Sequence, residues 1–79
     1  MNVKDIFDII VSHTLEVLPD LEGHAFQPGD SLRELGANSI DRSEIVMLTL
    51  ESLSLKIPMV AVATAGNMGE LADLLHARL

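Results

Sequence analysis

Apolar residues recur at three- and four-residue intervals in separate stretches of this chain, and polar residues fill the faces between them. From Val3 to Leu18 the apolar positions are Val3, Ile6, Phe7, Ile10, Val11 and Leu18, while Asp5, Asp8, Ser12 and Glu16 fall mostly on another face. That spacing predicts an amphipathic helix. Asn2 can cap it, Asp5 suits its first turn, and Pro19 stops it, because proline cannot continue the hydrogen-bond ladder. A second helix is predicted from about Ile40 to Leu53, with Ile45, Leu48 and Leu53 turned inward and Asp41, Glu44 and Glu51 turned to water. Lys56-Ile57-Pro58 breaks the chain, and the brief apolar run from Met59 to Ala65 predicts a stubby third helix. Gly66-Asn67 ends it, and Asn67 with Glu70 three residues later resembles a capping box. A fourth helix is expected from there through Met68, Leu71, Leu74 and Leu75 toward Leu79.

Between the first two helices, Pro19 to Asn38 holds Gly23, Pro28, Gly29, Asp30 and Gly36, a density of turn residues that predicts a long loop with one helical turn near Ser31 to Leu35. Leu21, Phe26, Leu32 and Leu35 can lay this loop over the bundle as a lid. The expected architecture is all-α: one domain over residues 1–79, a small four-helix bundle with a long loop between helices 1 and 2 and a short third helix.

Charge narrows the function. Twelve acidic residues against five lysines and arginines give a net charge of −7, which repels nucleic-acid backbones and anionic membranes and attracts basic protein patches. No nucleic-acid or membrane partner is expected, and the longest apolar run, Pro58 to Ala63, is far shorter than the ~20 residues that span a bilayer. Without cysteine there is neither a disulfide nor a protein thiol nucleophile, in keeping with a reducing compartment. The first residues carry no basic stretch followed by a long apolar run, so no export signal is read and a cytoplasmic location is the expectation.

The most informative chemistry lies at Leu35-Gly36-Ala37-Asn38-Ser39-Ile40, a glycine-containing loop running into a serine that opens a helix. Free backbone N–H groups and the positive end of a helix dipole beside Ser39 suit a phosphate ester. The layout points to modification of the chain rather than catalysis by it. Gly36-Ala37-Asn38-Ser39-Ile40 does not fit the Gly-x-Ser-x-Gly elbow of serine hydrolases, which also needs a strand. His13, His24 and His76 are scattered, without the spacing of metal ligands. No metal site and no catalytic residue is therefore assigned.

Leu35-Gly36-Ala37-Asn38-Ser39-Ile40 resembles the Leu-Gly-x-Asp-Ser-Leu modification motif of acyl carrier proteins, and the order of elements along nearly the whole chain is similar to that family's. The resemblance implies that Ser39 Oγ receives 4'-phosphopantetheine from coenzyme A through a separate phosphopantetheinyl transferase, and that the arm's thiol then carries acyl groups as thioesters. The carrier itself is not an enzyme. Asp30-Ser31-Leu32 spells the family tripeptide more literally, but Ser31 precedes Leu35-Gly36 and opens no long helix, so Ser39 is the assigned position. Asn38 departs from the usual aspartate, removing a charge while keeping an oxygen able to cap the helix.

Gly36 to Ile45 most resembles the stand-alone donor carriers of polyketide β-branching cassettes, which share Asn before the modified serine and Asp-Arg shortly after it. The implied role is to hold malonyl, then acetyl after decarboxylation, and to donate acetyl to a 3-hydroxy-3-methylglutaryl synthase-like enzyme. An acyltransferase and a decarboxylase are then further partners, with the carrier a monomer. The resemblance puts Ile40, Asp41, Arg42, Glu44, Met47 and Glu51 on the docking side of the second helix. On periodicity alone Met47 reads as core and the acids as a solvated face. Arg42 either discriminates among partners or makes an i,i+4 pair. Met59 to Ala63 either seals the core, which is the expectation, or exposes an apolar patch to a partner. A general polyketide, fatty acid or peptidyl carrier, and an unmodified acidic adaptor, are the competing readings.

Overall fold

The computed structural model describes all 79 residues and contains helices but no strand. Helix α1 spans Val3–Val17, α2 Ser39–Ser52 and α3 Met68–His76, and two 3-10 turns lie at Pro19–Leu21 and Met59–Val62. Helix α1 packs against both α2 and α3, and the Met59–Val62 turn bridges α2 to α3.

All three helices begin on an asparagine cap. The Asn2 side chain accepts from the Asp5 amide at 2.9 Å, and the Asp5 carboxylate accepts from the Asn2 amide at 3.1 Å. Asn67 caps α3 through the Glu70 amide at 2.7 Å, but the Glu70 carboxylate reaches back one residue further, to the Gly66 amide at 3.2 Å. These bonds supply partners to amides that a helix start leaves without them.

The expected third α-helix is not present. Met59–Val62 is a 3-10 turn, closed by i to i+3 bonds from the Ala61 amide to the Pro58 carbonyl at 2.9 Å and from Ala63 to Val60 at 3.3 Å. Between Pro58 and Gly66 lie seven residues, about two α-helical turns, too short a run to be stable as a helix by itself, and no side chain caps this start. The bundle therefore has three α-helices, and the last of them ends at His76 rather than near Leu79.

Ile6 and Ile10 of α1, Ile45 of α2 and Met68 and Leu75 of α3 are fully buried, joined by Leu50, Leu53, Val62, Leu71 and Ala72. In α2 the inward positions are Ile45, Thr49, Leu50 and Leu53, with Val46 packed against them, whereas Leu48, expected inside, is only half-buried and lies outside the core cluster. Two threonines are buried without orphaned hydroxyls. Thr14 Oγ1 donates to the Ile10 carbonyl at 2.7 Å and Thr49 Oγ1 to the Ile45 carbonyl at 2.8 Å.

The α1–α2 loop lies over the core with Leu32 buried and Phe26 and Leu35 packed on it, whereas Leu21, expected to join them, sits in the Pro19–Leu21 turn outside the core cluster. The loop is fastened to the start of α3 by backbone: the Met68 amide donates to the Asp30 carbonyl and the Gly69 amide to the Pro28 carbonyl, both at 2.8 Å. Gly69 allows the approach, since a Cβ there would stand 2.8 Å from Pro28 Cβ. Within the loop the Asp30 carboxylate accepts from the Gln27 amide at 2.9 Å and pairs with His24 Nε2 at 3.0 Å. The amide bond, then the imidazole, hold the Asp30 carboxyl below the usual aspartate range against a smaller opposing effect of burial.

Candidate functional site at the start of helix α2

A single helical turn delivers the chain to Ser39. The Leu35 amide donates to the Ser31 carbonyl and the Ala37 amide to the Leu32 carbonyl, both at 3.0 Å, with Gly36 at φ +105° making the reversal. This left-handed backbone suits glycine, which carries no Cβ to clash. Ala37 then plunges into the core, 3% exposed, and pins the segment from below. Asn38 follows in extended backbone as the cap of α2, accepting from the Asp41 amide at 2.8 Å while its own amide donates to the Asp41 carboxylate at 3.2 Å.

Ser39 is the first residue of α2 and is exposed. Because Asn38 does the capping, the Ser39 hydroxyl is not committed to the fold. The Asp41 amide is taken by the Asn38 side chain and the Arg42 amide by the Asn38 carbonyl at 2.9 Å, so the amides of Ser39 and Ile40 are the ones left without intrahelical partners. Beside Ser39 opens a cleft of about 930 Å³ between the loop, the first turns of α2 and the Met59–Val62 turn, with Arg33, Arg42, Val46, Val62 and Leu71 among its walls. Ser31, the literal tripeptide serine, is half-buried, accepts from the Glu34 amide at 3.4 Å and opens only one turn.

The positions expected on the docking side separate into two groups. Ile40, Met47, Glu44 and Glu51 are exposed on α2, with Ile40 76% and Met47 46% exposed. Asp41 is half-buried and spends its carboxylate on the capping box. Arg42 makes no i,i+4 pair: its Nη1 donates at 2.9 Å to the Ala37 carbonyl, folding the side chain back past the start of its own helix. Nothing in the local pattern signalled that bond, because Ala37 lies outside the helix. The Met59 to Ala63 segment divides its roles. Val62 seals the core, while Val60 is 74% exposed beside Met59, so the segment is an apolar surface as well as a plug.

An exposed hydroxyl at the first position of a helix, two free amides, and an arginine on the same cleft fit a phosphodiester-linked arm with its long chain lying outward. A family described as the phosphopantetheine attachment site matches residues 9–75. The chain is an acyl carrier protein. It is 49% identical over 76 residues to the polyketide biosynthesis acyl-carrier-protein AcpK of Bacillus subtilis (strain 168), covering 96% of this chain and 93% of that protein. Among solved structures it resembles a chain from the crystal structure of the curacin biosynthetic pathway HMG synthase in complex with acetyl donor-ACP. That likeness has a TM-score of 0.95 at 45% identity and covers 98% of this carrier and 99% of the solved chain. The group that members of this family carry is 4'-phosphopantetheine, which supplies a thiol on a flexible arm once attached. That thiol answers the absence of cysteine in the carrier itself.

Proposed function

We propose that Ser39 is the attachment residue and that this carrier donates acetyl to a 3-hydroxy-3-methylglutaryl synthase-like enzyme in polyketide β-branching. In the attachment step Ser39 Oγ attacks the phosphorus of coenzyme A that bears pantetheine. The new O–P bond replaces the pyrophosphate P–O bond, the serine proton is lost to solvent or base, and adenosine 3',5'-bisphosphate leaves. The carrier's own contribution is to hold Oγ outward at a helix start where the incoming phosphate finds free amides and little steric opposition.

The observation that carries the donor reading is the 0.95 TM-score to an acetyl donor carrier solved with its HMG synthase, supported by the 49% identity to a carrier of polyketide biosynthesis. The surface agrees with a partner of that kind. Met59 and Val60 are exposed apolar residues on the cleft beside Ser39, and α2 adds exposed Ile40 and Met47 together with Glu44 and Glu51, a mixture that suits an enzyme face with apolar and basic groups. Tethering the acyl group raises its effective concentration at the docked enzyme.

The test has two stages. Intact-mass measurement after incubation with coenzyme A, Mg²⁺ and a broad-specificity transferase should show arm addition to wild type and Ser31→Ala but none to Ser39→Ala. Acetyl-loaded carrier should then support condensation by a donor-dependent synthase better than a fatty acid synthesis carrier does. Equal support by both would return the carrier to a general role.

A further inference from the structure

The cleft beside Ser39 is basic in a protein that is otherwise strongly acidic. Arg33 and Arg42 are two of its five lysines and arginines, and both line this one cleft. The ion pairs of the fold join Lys4 to Asp8, His13 to Glu16 and His24 to Asp30, and neither arginine takes part. The carboxylates nearby are committed or peripheral: Asp41 is held by the Asn38 amide, and Glu34 lies on the exposed loop wall.

Arg42 is the better placed of the two. It stands three residues after Ser39, so the two Cβ atoms sit on one helix face about 5–6 Å apart. The Nη1 bond to the Ala37 carbonyl holds the guanidinium near the loop that leads into Ser39, and it uses one of five N–H donors. This location is costly in the unmodified protein, because the start of a helix repels a cation. A phosphodiester on Ser39 would reverse that relation by placing a full negative charge between the helix amides and the guanidinium.

We propose that Arg42 is the positioning residue for the phosphodiester of the arm, binding a non-bridging oxygen and directing the arm along the cleft between α2 and the Met59–Val62 turn. This rests on Ser39 being the attachment residue. The anion recognised is the arm's own phosphate, which is one bond from Ser39 Oγ, rather than a carboxylate on the cargo at the far end of the arm.

The experiment is a four-cornered comparison of unmodified and phosphopantetheinylated carrier, each as wild type and as Arg42→Gln, with intact mass verifying every sample. Melting temperature is read in low and in ~1 M salt, where screening shortens to about 3 Å. The side-chain Nε–H resonance of Arg42 and the ³¹P resonance are read beside it. In wild type the arm should raise the melting temperature by roughly 3–6 °C in low salt, and Arg42→Gln should remove about half of that rise, the remainder belonging to the helix amides. The Arg42 Nε–H signal should shift on attachment in wild type, and the ³¹P signal of the attached arm should stand at a different position in Arg42→Gln than in wild type. A purely structural Arg42 would lower both forms equally and leave the ³¹P signal unmoved, which overturns the proposal. Malonyl- and acetyl-loaded forms of both proteins are melted beside these four, and an Arg42→Gln effect confined to the malonyl-loaded carrier and absent with the bare or acetylated arm would also overturn the proposal, assigning the site to a cargo carboxylate. Arm addition that persists in Ser39→Ala defeats the attachment reading itself, a failure visible in the mass spectrum before any other reading is taken.

Discussion

Gly69→Ala should destabilise this carrier although it replaces the poorest common helix former with the best. Within a helix that exchange alone is worth about 1 kcal/mol in favour of alanine. The geometry at Gly69 opposes it: an added Cβ would stand 2.8 Å from Pro28 Cβ, 3.0 Å from the Pro28 carbonyl oxygen and 3.3 Å from Pro28 Cα. These are ring and backbone atoms, so relief requires moving the loop away from α3, and that loosens the 2.8 Å bonds from Gly69 to Pro28 and from Met68 to Asp30. Overpacking of this kind costs about 1–3 kcal/mol and a weakened amide bond about 1 kcal/mol. Set against the helix gain, the net loss is about 2 kcal/mol, or roughly 8–16 °C in melting temperature for a domain of this size. Thermal unfolding followed by circular dichroism reads it directly. Gly29→Ala is the control, because no atom lies within 4 Å of a Cβ there and its backbone is not left-handed. It should stay within about 0.5 kcal/mol of wild type. A Gly69→Ala protein as stable as wild type, or more so, would refute the claim that this glycine exists for the loop's approach.

Two further outcomes follow from the same structure. Val60→Glu should leave melting temperature within about 3 °C of wild type, since Val60 is exposed, while lowering the rate of acyl transfer to the partner enzyme; unfolding of the variant would place Val60 in the core instead. Asp30 has a carboxyl held below its ordinary value in the folded state, so its contribution to stability is fully present above about pH 3.9 and disappears as pH falls through the lower folded value. Asp30→Asn should therefore be less stable than wild type at neutral pH, with the gap closing in melting curves taken down toward pH 2; a gap that is constant across that range would contradict the assignment.

Much of this was legible in the residues. The limits of α1 and the start of α2 follow from asparagine caps and apolar spacing, signals carried within one turn of chain, and the structure puts them within a residue of expectation. The family motif around Ser39 is equally local. Features that depend on what a segment meets were not legible. Leu48 and Leu50 are both leucines on α2, and the face that α2 turns to its neighbour α1, which one helix's pattern does not reveal, decides that Leu50 is buried. The Met59 to Ala65 run reads as a helix, yet it is short and has no side-chain cap at its start, and it forms only a 3-10 turn. Gly69 reads as a blemish in a helix until Pro28 is seen above it, and Arg42 reads as a surface charge until its bond to Ala37 is known.

Asn38, rather than Ser39, closes the start of α2. Holding the backbone and offering an accessible hydroxyl thus fall to adjacent side chains, so Ser39 can be replaced without removing the cap of its helix. With Ser39 as the proposed attachment residue, replacing it should erase function in a protein that still folds, so a loss-of-function allele at this position would persist in a cell with the proposed docking surface intact. Such a chain would occupy partner enzymes without delivering anything, acting dominantly over the wild-type copy rather than merely failing beside it.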